Sequence, residues 1–155
     1  MKKNTLNNND SLKSLIVLFK AYHSVMENVK ESIADVDLSL NEFTALESIY
    51  HKEGLTTQAL IDSVLIPNSS MTYVIAQLEK KGLILRKKDK ADQRVINLYL
   101  TDKGRELFDE IYPKHYNDMR PIFDVLTQNE EVLLQTLLKK VGKEAKRRLD
   151  DETSL

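Results

Sequence analysis

"KKDKADQRVINLYLT", residues 87–101, opens as a burst of charge and closes as a patterned apolar run. Lys87, Lys88, Lys90 and Arg94 fall on one short loop, with Asp89 and Asp92 threaded between them. In the run that follows, Val95, Asn97 and Tyr99 alternate with Ile96, Leu98 and Leu100, the period-2 pattern of a strand. Just upstream, "LILRKK" is a second strand candidate, and "DKADQ" joins the two. The stretch therefore reads as a β-hairpin with a charged tip. Such a tip is either a solvated turn or a loop that probes a phosphate backbone, and the flanking segments decide which.

Immediately before the hairpin, Met71, Val74, Ile75 and Leu78 share one face of a helix over about 69–81, which Gly82 ends. A shorter helix from Thr56 or Thr57 runs through Leu60, Ile61 and Val64 until "LIPNSS" breaks it. Helix, short turn, helix is the helix-turn-helix arrangement, with the second helix as reader. Ahead of it, Ser39 and Glu42 have the spacing of a capping box. They open a helix that carries Phe43, Leu46, Ile49 and Tyr50 and is stopped by Gly54.

Residues 11–34 place Leu12, Leu15, Ile16, Phe19, Tyr22, Met26, Val29 and Ile33 at steps of three and four, a long amphipathic helix that breaks at "DVDLS". After the hairpin, Thr101 caps a helix reaching about Leu126. Pro113 falls past its first turn, so a kink or break is expected near 109–113. Thr127 and Glu130 make a second capping box, ahead of a last helix with Val132, Leu133, Leu134, Leu137, Leu138 and Val141.

The fold class expected is mainly α with a small β-hairpin: a winged helix-turn-helix plus a helical dimerisation body. The divisions are a disordered arm at 1–10, a dimerisation helix at 11–38, the winged domain at 39–101, C-terminal dimerisation helices at 102–149 and a tail at 150–155.

Composition narrows the function. With no cysteine in 155 residues, disulfides, thiolate metal sites and thiol redox sensing are excluded. The Asn-rich "MKKNTLNNNDS" lacks the apolar core of a signal peptide, and no run approaches the ~20 apolar residues of a membrane span. A cytoplasmic protein without a membrane partner is expected. His23, His51 and His115 are dispersed without ligand spacing, so no metal and no cofactor are expected. A glycine-rich phosphate loop, a nucleophile elbow and a convergent carboxylate pair are all missing, which argues against an enzyme.

Net charge is −1, which does not suit a general polyanion binder. Its distribution is uneven. Residues 79–94 hold seven bases against three acids, a net of +4, which leaves −5 on the rest of the chain. A basic patch on an acidic body fits a nucleic-acid footprint.

The stretches "LSLNEFTALESIYHKEGLTTQAL", "MTYVIAQLEKKGLILRK", "DKADQRVINLYLTDKGREL" and "LTQNEEVLLQTLLKKV" resemble the MarR family of bacterial transcriptional regulators over roughly residues 12–148. The wing is the most specific part. The family favours an Asp, two residues, Asp-Arg-Arg, a strand and Leu-Thr-x-x-Gly. Asp89, Asp92, Arg94, Leu100, Thr101 and Gly104 match, and Gln93 departs where Arg is common. The pieces "DSLKSLIVLFKAYHSVMENV", "MTYV", "LEKKG" and "IYPKH" look most like the family's cysteine-free, quinone-responsive branch.

The resemblance implies a homodimer on a palindromic double-stranded operator, acting as a repressor released by a small phenolic or quinone-type effector. For DNA, Arg94 suits a narrow minor groove, and Asp92 can hold its guanidinium by a forked hydrogen bond. Asp89 is expected to do the same for Lys87 or Lys90, with Lys88 beside them. On the reading helix Asn68, Ser69, Ser70, Thr72, Tyr73 and Gln77 lie off the apolar face, suited to phosphates and base edges. Lys80 is a backbone-contact candidate, and Lys81 is expected to be a solvated helix end. For the effector, the family's ligand position implies Phe19, Tyr22, His23 and Met26, with Phe43, Leu46 and Tyr50. His23 and Tyr50 are the expected polar handles. The alternatives are a winged-helix interaction module without operator binding and a metal-responsive member of the same family.

Overall fold

The computed structural model describes the backbone of residues 8–63 and 68–153 and the side chains of 13–63 and 70–151. Most of the expected arm at 1–10, Val64 and the Leu65–Pro67 part of "LIPNSS" lie outside the described residues. Within them the chain runs α1 (Asn8–Ser32), α2 (Leu40–His51), β1 (Leu55–Thr56), α3 (Thr57–Ser63), α4 (Asn68–Lys80), β2 (Ile84–Lys88), β3 (Ile96–Leu100), α5 (Asp102–Phe123) and α6 (Gln128–Thr153). It divides into two compact units, 1–118 and 119–155, and α5 runs across the boundary. None of the described helices is long and apolar enough to cross a membrane.

In the first unit the core gathers one face from each element: Phe43, Leu46 and Ile49 of α2, Leu60 of α3, Met71, Ile75 and Leu78 of α4, Leu98 of β3 and Phe108 of α5. The capping box of α2 is complete. Ser39 Oγ accepts from the Glu42 amide at 3.1 Å, and the Glu42 carboxylate accepts from the Ser39 amide at 3.1 Å. α2 ends at His51, ahead of Gly54. Gly54, at φ +77°, turns the chain into β1, and its amide donates to the Leu98 carbonyl at 2.9 Å. At two residues β1 is too short to show alternation in sequence, and it turns the expected hairpin into a three-stranded sheet of order β1-β3-β2. In the wing β2 pairs antiparallel with β3, Ile84 opposite Leu100 and Lys88 opposite Ile96.

Where the wing joins α5, Thr101 Oγ1 accepts from the Gly104 amide at 3.0 Å, which caps the helix, and donates to the Gly82 carbonyl at 2.6 Å. Gly104 is demanded by proximity. A Cβ there would lie 2.0 Å from the Leu83 carbonyl oxygen, well inside contact distance. The expected break near Pro113 does not occur, and α5 runs without interruption through Pro113 to Phe123. The carbonyl that loses its donor belongs to Asp109. Asp109 and Pro113 are both exposed, so water can serve that carbonyl.

In the second unit the Thr127–Glu130 capping box opens α6, and Arg120 forks onto Glu131 at 2.8 and 2.9 Å. α6 continues through the expected tail to Thr153. Val132, Leu133, Leu137, Leu138 and Val141 stand exposed along it. In the first unit α1 likewise exposes Leu15, Ile16, Val17, Phe19 and Tyr22.

Candidate functional site

The wing tip is built by its two aspartates, each in a different way. Asp92 Oδ1 accepts from Arg94 Nε at 3.1 Å, Oδ2 accepts from a terminal guanidinium nitrogen at 3.1 Å, and Oδ1 also takes the Arg94 amide at 3.0 Å. These bonds hold the Asp92 carboxyl below the usual carboxylate range and raise the guanidinium. The Arg94 side chain is 91% exposed, so the fork orients it without hiding it.

Asp89 holds no lysine. Its carboxylate accepts from the Ala91 and Asp92 amides at 2.8 and 3.1 Å and from the Asn97 side-chain amide at 3.1 Å. The correction has a simple cause: a short acceptor inside a tight turn reaches amides two and three residues on before it reaches a mobile ammonium. Asp89 shapes the loop, and Asp92 aims the arginine.

The basic segment is less uniform than its charge count. Arg86 is paired with Glu79 at 2.7 Å, and Lys87 Nζ lies 5.1 Å above the Tyr99 ring. Lys81 is no solvated end. It donates to the Glu42 carboxylate at 2.7 Å and to the Asp37 carbonyl at 2.8 Å, pinning the end of α4 to the cap of α2. Lys80, Lys88 and Lys90 are exposed and without an acid partner among the described residues. On α4, Thr72 and Tyr73 are exposed, Ser70 and Gln77 are half-buried, and Met71, Val74, Ile75 and Leu78 face the core. Asn68 and Ser69 open the helix, and their side chains lie outside the described residues.

The expected effector residues part company. Tyr22, Met26 and Phe43 line one cleft of about 350 Å³ formed by α1, α2, α3 and α5 within the first unit. Leu46 is fully buried in the core. Phe19 and His23 are exposed on α1 and do not line the cleft. Tyr50 is tied instead to Asp109 at 2.6 Å and lies against Phe108.

Sequence reasoning missed the cleft's main polar groups, Glu47 and His115. Burial raises the Glu47 carboxyl, with His51 opposing, and burial lowers the His115 imidazole. His115 Nδ1 lies 2.7 Å from Ser32 Oγ, and its ring meets Phe43 edge-on at 4.8 Å. The only signal for Glu47 was its place one turn after Phe43; His115 is 72 positions beyond Phe43 and had none. Among the described residues no group of three or more His, Asp or Glu side chains is gathered as a metal ion would require.

The model of the MarR family matches residues 38–96. The chain is 37% identical over 136 residues to the HTH-type transcriptional regulator MhqR of Bacillus subtilis (strain 168), an alignment covering 88% of this chain and 94% of that one. Among solved structures, NadR in complex with 4-hydroxyphenylacetate superposes with a TM-score of 0.74 at 26% identity, over 92% of this chain and 96% of that one. BpsR of Bordetella bronchiseptica, whose DNA binding is regulated by 6-hydroxynicotinic acid, superposes at 0.69 and 25% identity, over 81% and 90%.

Proposed function

We propose, because the chain belongs to the MarR family of transcriptional regulators and lies near its MhqR branch, that it is a homodimeric repressor released from DNA by a small phenolic or quinone-type effector. Its homologues are transcriptional regulators, not enzymes. The observation that carries the DNA reading is the Asp92–Arg94 fork: an arginine preorganised by its own acid yet left almost wholly exposed. The exposed Lys80, Lys88 and Lys90, without an acid partner among the described residues, and the exposed Thr72 and Tyr73 of α4 support the same reading. Arg94 enters a minor groove, α4 reads the neighbouring major groove, and the lysines take phosphates.

The exposed apolar side chains of α1 and of α6 support a dimer. Each helix is assigned to contact with a second copy of the chain, in an interface burying more than ~2,000 Å² as in permanent homodimers. Two-fold symmetry then gives a palindromic operator with half-site centres about 34 Å apart. A monomer at micromolar concentration in light scattering would end this part of the reading.

The effector is assigned to the cleft of Tyr22, Met26, Phe43, Glu47 and His115. Its apolar walls with a few polar groups have the make-up of a small-molecule site. Hydroxy-aromatic ligands of NadR and BpsR, each over a similar fold, support that class of compound. The test is protection mapping of DNA upstream of the gene and its neighbours, with and without phenols and quinones. A dyad-symmetric footprint that such compounds erase is expected. Absence of any mobility shift on that DNA at moderate salt would favour the alternative, an interaction module that has lost DNA binding.

A further inference from the structure

β3 carries an asparagine at its centre. Asn97 stands between the apolar Ile96 and Leu98, opposite Thr56 of β1 and Lys87 of β2. Asparagine is depleted in strands, where β-branched and aromatic side chains pack better. Its presence there points to its amide rather than to packing. Leu98 and Leu100 turn to the core, and Asn97, on the other face of the strand, is half-buried. Its Nδ2 donates to Asp89 Oδ1 at 3.1 Å.

That bond crosses from the paired strands into the wing loop. The last ladder pair is Lys88 opposite Ile96, and one backbone bond follows it, from the Asp89 amide to the Val95 carbonyl at 2.9 Å. Beyond it the loop closes on itself. Asp89 Oδ2 takes the Ala91 and Asp92 amides, the Val95 amide donates to the Asp92 carbonyl at 2.9 Å, and Asp92 forks onto Arg94. These bonds fix the guanidinium relative to the loop. They do not fix the loop relative to the sheet, because two-stranded ribbons take a wide range of twist. Among the described residues, Asn97 to Asp89 is the one hydrogen bond from a side chain of the sheet into the loop. The backbone of Asn97 is held on both sides, by Lys87 and by Thr56, whose Oγ1 accepts the Ala59 amide of α3 at 3.0 Å. A line of restraint therefore runs from the helix-turn-helix through Thr56, Asn97, Asp89 and Asp92 to Arg94.

We propose that Asn97 is a positioning residue for DNA recognition, acting through Asp89 to hold the Arg94 guanidinium at a fixed angle to the helix-turn-helix. This rests on the reading of the wing given above. Asn97 contacts no nucleotide itself: its amide hydrogen is spent on Asp89, and its effect on DNA passes through the arginine. A strand filler would act on stability instead, and a direct phosphate contact would act whether or not Arg94 is present.

The test is a double-mutant cycle on the full chain, read by mobility shift on a duplex carrying the footprint mapped upstream of the gene. Asn97→Ala should weaken binding roughly three- to tenfold, the net worth of one hydrogen bond. The salt dependence should keep its slope, because no phosphate contact is removed. In an Arg94→Ala chain the same change should weaken binding less than about twofold, since no guanidinium is left to aim. An exchange variant carries the test should Asn97→Ala fold poorly. Asp89→Asn combined with Asn97→Asp reverses donor and acceptor at unchanged net charge. The new amide at 89 keeps its oxygen for the Ala91 and Asp92 amides and donates to the new carboxylate at 97. Its binding should return to within about twofold of the parent chain, whereas Asn97→Asp alone sets two carboxylates side by side and should bind worst. An equal loss from Asn97→Ala with and without Arg94, or no loss at all, would overturn the proposal, and so would a folded exchange variant no tighter than Asn97→Asp. Arg94→Ala without effect, or no shift by the parent chain, would overturn the DNA reading of the wing, and the proposal falls with it.

Discussion

Asp92 and Arg94, two positions apart, are joined by three hydrogen bonds, yet the arginine's side chain is 91% exposed. On a surface that faces only water such a fork brings little stability, so its effect should appear in binding. Arg94→Ala is expected to lower operator affinity roughly tenfold or more while the melting temperature stays put. Asp92→Asn removes a negative charge from the wing, which by charge alone should tighten DNA binding. If the carboxylate aims the guanidinium, affinity falls instead. A folded Asp92→Asn protein with tighter operator binding in a mobility shift would sink the preorganisation argument.

Lys81 belongs to the basic segment by sequence and to the core's frame by structure. Lys81→Met should cost about 1–3 kcal/mol of stability, because the Glu42 carboxylate, only 9% exposed, loses its cation. Operator affinity at fixed salt should barely move. Lys88→Ala and Lys90→Ala should do the reverse: unchanged denaturation midpoints, weaker binding and a shallower salt dependence.

Gly104→Ala is expected to be among the most damaging single changes. The added methyl would meet the Leu83 carbonyl oxygen at 2.0 Å, a backbone atom that no rotamer change can move aside. Overpacking of this kind costs about 1–3 kcal/mol or more, and urea denaturation would report it.

Glu47 is held in the cleft against its own preference. Burial raises its carboxyl above the usual range, so the folded state resists ionising it. The stability this group contributes is full below its unfolded pKa near 4.5 and is lost as pH rises through the raised folded value. Glu47→Gln should therefore raise the melting temperature at pH 8, and the gain should shrink to nothing toward pH 4. A gain that persists undiminished at pH 4 would show that the carboxylate's desolvation is not its source.

What could be read from sequence was short-range. The capping boxes at Ser39–Glu42 and Thr127–Glu130 and the Asp92–Arg94 fork all close within three residues, so spacing alone reveals them. Lys81 reaches Glu42 across 39 positions and Ser32 reaches His115 across 83, and no local pattern carries such pairings. Asp89 was misread because a carboxylate among lysines suggests ion pairs, whereas the turn's own amides lay nearer. Pro113 was misread because its cost depends on whether water can serve the carbonyl it leaves behind, which only burial reveals. Phe43 was legible as a large apolar residue and, through the family resemblance, as an effector neighbour, and it serves core and cleft together.

The near-contact of Gly104 with Leu83 has a mechanical consequence. The first turn of α5 and the approach to β2 meet backbone against backbone, with no side chain between them to act as a cushion. Thr101 bolts the same joint to Gly82. A shift at the start of α5 is therefore transmitted to the wing undamped, as through a gear without slack, and Arg94 rides at the far end of that gear.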